Sequence, residues 1–222
     1  FWPGPLTLVL PKRDEVPDIV TAGLPTVGIR MPDNDVALEL IRFSGCPIAA
    51  PSANKFGRIS PTAAEHVKKQ LPHVDYILDC GKTTVGIEST IIRLSDAGFQ
   101  ILRNGIITRE EIESIVPCDT GGSIEKAPAP GMLKSHYSPA KTLLIADHAL
   151  DIEKSTAGLL SFTGQLEDGY QRVIRVSENN DLKEYAANMF AAMHALEDDD
   201  DIDTIIAEPV PETGIGRAIM DR

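Results

Sequence analysis

The chain has 222 residues, 42% hydrophobic and 24% charged, enough to bury one or two cores. It contains no apolar run near the ~20 residues that a membrane-spanning helix needs, so a membrane protein is not expected. Three dispersed cysteines (Cys46, Cys80, Cys118) without a C-x-x-C pair, and five histidines without an H-x-x-x-H spacing, suggest neither a disulfide framework nor a metal site, and point to a reducing, cytoplasmic setting.

The net charge of −12 is unevenly placed: residues 1–141 carry 15 basic against 16 acidic side chains, and residues 142–222 carry 6 against 17. The first part is the better host for an anionic ligand, while the acidic second part repels a nucleic-acid backbone. The opening FWPG, without Met and with an aromatic pair in need of packing, leads to the expectation that a segment precedes it.

In chain order, LTLVL (6–10) and TVGIR (26–30) predict strands, VALELIRFSG (36–45) a helix ended by Gly45, and PIAAPS (47–52) a buried strand. Thr62 and Glu65 have the spacing of a capping box for a helix to about Leu71. YILDCG (76–81), STIIRL (89–94) and FQILR (99–103) predict further strands, and Thr108 with Glu111 a second capping box for a helix through Val116. The alternation of strands and helices predicts a mixed α/β domain over 1–118.

Residues 119–141, DTGGSIEKAPAPGMLKSHYSPAK, lose apolar periodicity and gain proline and glycine, as a linker does. Met132, Leu133, His136 and Tyr137 are unusual in a plain spacer; the His-Tyr pair suits a docking contact or an acid/base pair. From Thr142, TLLIA, GLLSF, VIRVS and DTIIAE read as short buried strands, and helix 181–196 carries a core-facing stripe at 3–4 spacing, predicting a small Rossmann-like α/β domain over 142–222. Gly214 and Gly216 in ETGIGRAI are not a G-x-G-x-x-G after a first strand, and EDDDD (197–201) reads as a solvated helix end.

Four polar clusters fall at predicted strand ends, where open α/β sheets bind ligands: Thr26 to Arg30, Ser52 to Ser60, Glu88-Ser89-Thr90, and Arg103. Arginine forks suit carboxylate and phosphate, and hydroxyls and loop amides supply short fixed donors, so the set fits a ligand with several phosphates and one carboxylate. Singly, each has a plainer use: Arg30 in a surface ion pair, Ser52 and Asn54 in a turn, Glu88 as an orienting group rather than a general base.

Taken in order, FWPGPLT, TVGIRMP, APSANKFGRISPT, GIESTII, ILRNGIIT and APGMLKSHYSP resemble the two-domain form of the YrdC-like family, the threonylcarbamoyl-AMP synthases, closely over 1–141 and more loosely over 142–222. The resemblance implies a YrdC-like twisted mixed sheet with helices, followed by a small Rossmann-like domain, with 119–141 as interdomain linker and active-site lid. It implies that L-threonine, bicarbonate or CO2, and ATP with Mg2+ give threonylcarbamoyl-AMP and pyrophosphate, for t6A37 modification of tRNA completed by a separate threonylcarbamoyl transferase machinery. Thr26, Ser52, Ser60, Arg103 and Tyr137 then contact ATP; Arg30, the backbone of Ala50, and Ser89 hold threonine; Asn54, Thr90 and His136 are second choices, and no metal ligand or nucleophile is assigned.

The family carries a basic segment and a threonine-contacting threonine ahead of PGPLT, and a basic tail beyond AIMDR. On that ground residues 1–222 alone are expected to bind weakly or to be inactive. The alternatives are a non-catalytic module, either RNA-binding or nucleotide-sensing; a carbamoyl-transfer domain shares the fold but lacks the Rossmann-like partner. Weak RNA binding is the remaining partner expectation, and none is expected with a membrane.

Overall fold

A computed structural model describes residues 1–120, 137–148 and 152–222. In chain order the elements are β1 (Leu6–Pro11), α1 (Asp18–Thr21), β2 (Thr26–Ile29), α2 (Asp35–Ser44), α3 (Ala64–Gln70), β3 (Thr90–Ser95), β4 (Gly98–Arg103), α4 (Arg109–Glu113), β5 (Thr142–Ile145), β6 (Ala157–Ser161), β7 (Arg172–Arg175), α5 (Leu182–Glu197), β8 (Thr204–Ala207) and α6 (Ile215–Met220). They fall into two compact units, Phe1–Pro51 with Glu88–Met132, and Ser52–Ile87 with Leu133–Arg222.

The first unit is built on a mixed sheet in the order β2-β1-β3-β4. β1 runs parallel to β3 and antiparallel to β2, and β3 and β4 form an antiparallel pair. Alternation sends Leu6, Ile92 and Phe99 to one face, where Ile112 of α4 covers them with Leu8, Ile101 and Val116 at the margin. The Thr108 capping box forms in both directions, although α4 stops at Glu113 rather than Val116. Asn34 caps α2 by accepting from Ala37 N at 2.9 Å, and Gly45 ends it at φ 64°.

Two expected strands are absent. PIAAPS and YILDCG form no regular structure, and residues 47–53 and 75–80 lie exposed. An apolar run becomes a strand only where another strand presents its N–H and C=O groups; among the described residues neither run has such a neighbour.

The second unit holds an all-parallel sheet in the order β5-β8-β6-β7. Central strands of such a sheet are covered on both faces, and all five residues of β6 and three of four in β8 are buried, whereas the edge strands β5 and β7, expected to be buried, hold only part-buried and exposed residues. Tyr185, Ala186, Met189, Phe190, Met193 and Leu196 of α5 form the expected buried stripe.

The acidic run that follows α5 is more than a solvated end. Asp199 pairs with Arg172 at 2.9 Å, Asp198 pairs with Lys69, and Lys141 Nζ donates to the Leu196 carbonyl at 3.1 Å. These cations offset carboxylates gathered at the negative end of a helix. Gly216 allows a close backbone approach: a Cβ there would stand 1.8 Å from the Pro211 carbonyl oxygen. Among the described residues no helix is long and apolar enough to cross a membrane.

Candidate active site

Six of the predicted site residues belong to the first unit. Thr26 opens β2 opposite Pro11, and Arg30 follows that strand into solvent. Ala50 is exposed in an irregular stretch. Ser89, Thr90 and Arg103 come together because β3 and β4 pair there. Arg103 donates to the Ser89 carbonyl through Nε at 3.1 Å and Nη2 at 2.8 Å, and Nη2 also reaches the Ser89 hydroxyl at 3.1 Å. That hydroxyl lies 2.7 Å from the Thr7 hydroxyl on β1, so one hydrogen-bonded line joins three strand ends.

Thr90 plays a structural part: it is fully buried and donates to the Ile107 carbonyl at 2.6 Å. The backbone is equally tight beside it, since a Cβ on Gly105 would lie 2.3 Å from Thr90 N and 2.6 Å from the Glu88 oxygen. The arginine fork and two hydroxyls are thus set on stiff strand ends before any ligand arrives.

Ser52, Asn54, Ser60 and Tyr137 belong to the second unit. Ser52 is exposed, whereas Ser60 is nearly buried. Between them Asn54 Nδ2 donates to the Lys55 and Arg58 carbonyls, each at 3.0 Å, and folds the loop on itself. Its Oδ1 is buried and, among the described residues, receives no hydrogen bond. Ser138 N donates to the Gly57 carbonyl at 2.9 Å, tying the loop to the residue after Tyr137. Tyr137, only 3% exposed and held at φ 64°, packs on Phe190 at 5.8 Å and under the Arg222 guanidinium at 5.0 Å. His136 lies outside the described residues.

The Thr62–Glu65 capping box does not form: Ala63 is the N-cap of α3, and Thr62 N donates instead to His66 Nδ1 at 3.1 Å. Three residues that the sequence reading did not single out brace the loop. Gln70 receives from Lys55 N at 3.1 Å and donates to the Ile59 carbonyl at 2.8 Å, closing the loop at both ends. His66 stacks on His194 with ring centroids 3.9 Å apart, and His194 Nε2 reaches the Ser60 carbonyl at 3.1 Å. Burial lowers both imidazoles below the usual histidine range. His66, four residues after Thr62, had a local signal in helical spacing; His194 had none, being 134 residues from its partner.

Among the described residues no cluster of histidine, cysteine, aspartate or glutamate could hold a metal ion. The groups assembled are hydroxyls, amides and guanidinium donors, which suit anionic oxygens.

The family described as "Telomere recombination" matches residues 1–105, and that described as "Threonylcarbamoyl-AMP synthase, C-terminal domain" matches residues 107–222. Threonylcarbamoyl-AMP synthase of Pyrococcus abyssi is 39% identical, covering all of this chain and 70% of the relative. That of Bacillus subtilis is 41% identical over all of this chain and 69% of its own. The crystal structure of P. abyssi Sua5 complexed with L-threonine superposes with a TM-score of 0.85 at 37% identity, covering all of this chain and 69% of that one. With both of its parts matched and its whole length aligned to synthases of an archaeon and a bacterium, the chain belongs to the threonylcarbamoyl-AMP synthase family.

Proposed function

We propose that the protein makes L-threonylcarbamoyladenylate from L-threonine, bicarbonate or CO2, and ATP, releasing pyrophosphate, in the service of tRNA threonylcarbamoyladenosine synthesis. The observation that carries this reading is likeness over the whole chain to enzymes of that name, with the fold of a relative that binds L-threonine.

The chemistry asks for positioning more than for a nucleophile. The threonine amine adds to CO2 and loses a proton, giving a carbamate. A carbamate oxygen then attacks the α-phosphorus, the bond from that phosphorus to the bridging oxygen breaks, and pyrophosphate leaves. We assign Arg30 to the threonine carboxylate, whose two oxygens its planar fork matches, with Ser89 and the Ala50 backbone on the same substrate. Ser89 suits that task because Arg103 and Thr7 already fix its hydroxyl. Thr26, Ser52, Ser60, Arg103 and Tyr137 are assigned to ATP. Asn54, whose buried Oδ1 receives no hydrogen bond among the described residues, suits a ligand N–H.

Mg2+ would enter on the nucleotide phosphates and supply charge neutralisation; the donor set described fits such a chelate. We read 1–118 as the synthase domain, 119–141 as linker and lid, and 142–222 as the Rossmann-like domain, working in the cytoplasm ahead of a tRNA threonylcarbamoyl transferase. Pyrophosphate release from the full-length protein tests the reading: it must require both L-threonine and bicarbonate. Release independent of threonine would sink it.

A further inference from the structure

The face of α5 that packs inward is apolar at Tyr185, Ala186, Met189, Phe190, Met193 and Leu196, and then carries a histidine. His194 is 4% exposed. An imidazole buried in an apolar face loses hydration that a leucine would not, so its retention calls for a polar partner. That partner is the carbonyl of Ser60, 3.1 Å from Nε2.

Ser60 precedes Pro61, which confines its backbone to an extended form and leaves a segment with little freedom. Two residues on, Thr62 N donates to His66 Nδ1 at 3.1 Å. Because Nδ1 accepts that bond, His66 is the neutral tautomer with its proton on Nε2, and protonating Nδ1 would break the bond. The two rings stack at 3.9 Å, so the Ser60–Thr62 stretch is gripped from both sides by one histidine pair.

We infer that His194 is a positioning residue for ATP: through the Ser60 carbonyl, and braced by His66, it fixes the loop 52–60 in the conformation that receives the nucleotide. The inference rests on the assignment of Ser52 and Ser60 to ATP. It also gives the helix that carries His194, in the family's C-terminal domain, a direct part in the reaction without touching substrate.

The bond from Thr62 N holds while His66 is neutral, whereas His194 Nε2 donates to the Ser60 carbonyl in either charge state. Facing the pair are Glu65 and Lys69 from α3, and Glu197 and Asp198 from the end of α5, with Lys69 and Asp198 paired to each other. Acidification protonates the pair, sets two positive rings against each other and releases Thr62 N.

The test is steady-state pyrophosphate release by the full-length protein, with ATP and threonine varied separately and pH stepped from about 5 to 8, the range in which histidine titrates. His194→Phe keeps the ring and its burial but has no donor; it should raise the KM for ATP about 3- to 10-fold, the weight of one hydrogen bond, with kcat and the KM for threonine within about twofold. His194→Gln restores a donor at the same reach and should return the KM for ATP to near wild type. In the wild type that KM should rise as pH falls, and in His66→Phe the rise should flatten.

Ser52→Ala runs alongside. If it raises the KM for ATP while His194→Phe does not, the positioning role is wrong and the loop assignment stands. If it leaves that KM at the wild-type value, the loop is not an ATP site and both ideas fall. An effect of His194→Phe that spreads equally to threonine, or that glutamine does not reverse, would mark a structural role only. Should both His194 variants fail to fold, His66→Phe at pH 7.5 decides: it removes the acceptor for Thr62 N, and a KM for ATP at the wild-type value overturns the inference.

Discussion

A guanidinium can grip a carboxylate with two parallel hydrogen bonds, and Arg30 is the residue assigned to that grip. Arg30→Ala should lower kcat/KM for threonine about 10- to 100-fold, the loss of one charge-assisted interaction, and Arg30→Lys should recover only part because an ammonium lacks the fork. Steady-state kinetics on the full-length protein decide it, and a wild-type value in Arg30→Ala removes the assignment. Gly105 tests the strand-end cluster from the other direction. Its missing Cβ leaves room for Thr90 N and the Glu88 carbonyl, backbone atoms that cannot swing aside. Gly105→Ala should destabilise by about 1–3 kcal/mol and weaken threonine binding by shifting Ser89, checked by thermal melting and by titration with threonine. The motif residues were legible in the sequence because their types suit anions at strand ends. That Thr90 spends its hydroxyl on Ile107 was not, because its partner is 17 residues away across a turn.

Among the elements, strand-like and helix-like runs were legible, and whether a run would find its hydrogen-bond partners was not. The Thr108–Glu111 box is closed by side chains three residues apart: Thr108 N donates to Glu111 Oε2 at 2.7 Å, and Glu111 N to Thr108 Oγ1 at 3.2 Å. Thr108→Ala should cost about 1 kcal/mol, a fall of about 2–4 °C in melting temperature; an unchanged melt would mean that the box contributes nothing. The T-A-A-E sequence has the same spacing, yet its threonine amide is taken by His66 and the helix starts later. PIAAPS and YILDCG have the composition of strands without a ladder to join, since apolar content does not supply hydrogen-bond partners.

For the molecule as a whole, stability should depend on pH through the histidine pair. Burial lowers both His66 and His194 from the ordinary 6.5, so the unfolded chain binds protons that the folded one refuses. Their contribution is therefore complete above about pH 6.5 and is lost as pH falls through the lower folded-state values. Melting followed from pH 7.5 down to 5 should show a decline that His66→Phe with His194→Phe makes shallower; parallel curves would show that other groups govern it. The sequence by itself determined the strands that find partners, most helices, the mixed and parallel characters of the two sheets, and the family, since these follow from periodicity, residue type and ordered motifs. Only the tertiary structure decided which apolar runs stay unpaired, that the acidic run meets Arg172 and Lys69, and that a histidine far along the chain grips Ser60. Each of these depends on a group distant in sequence being brought within hydrogen-bonding reach, and local pattern carries no record of that distance.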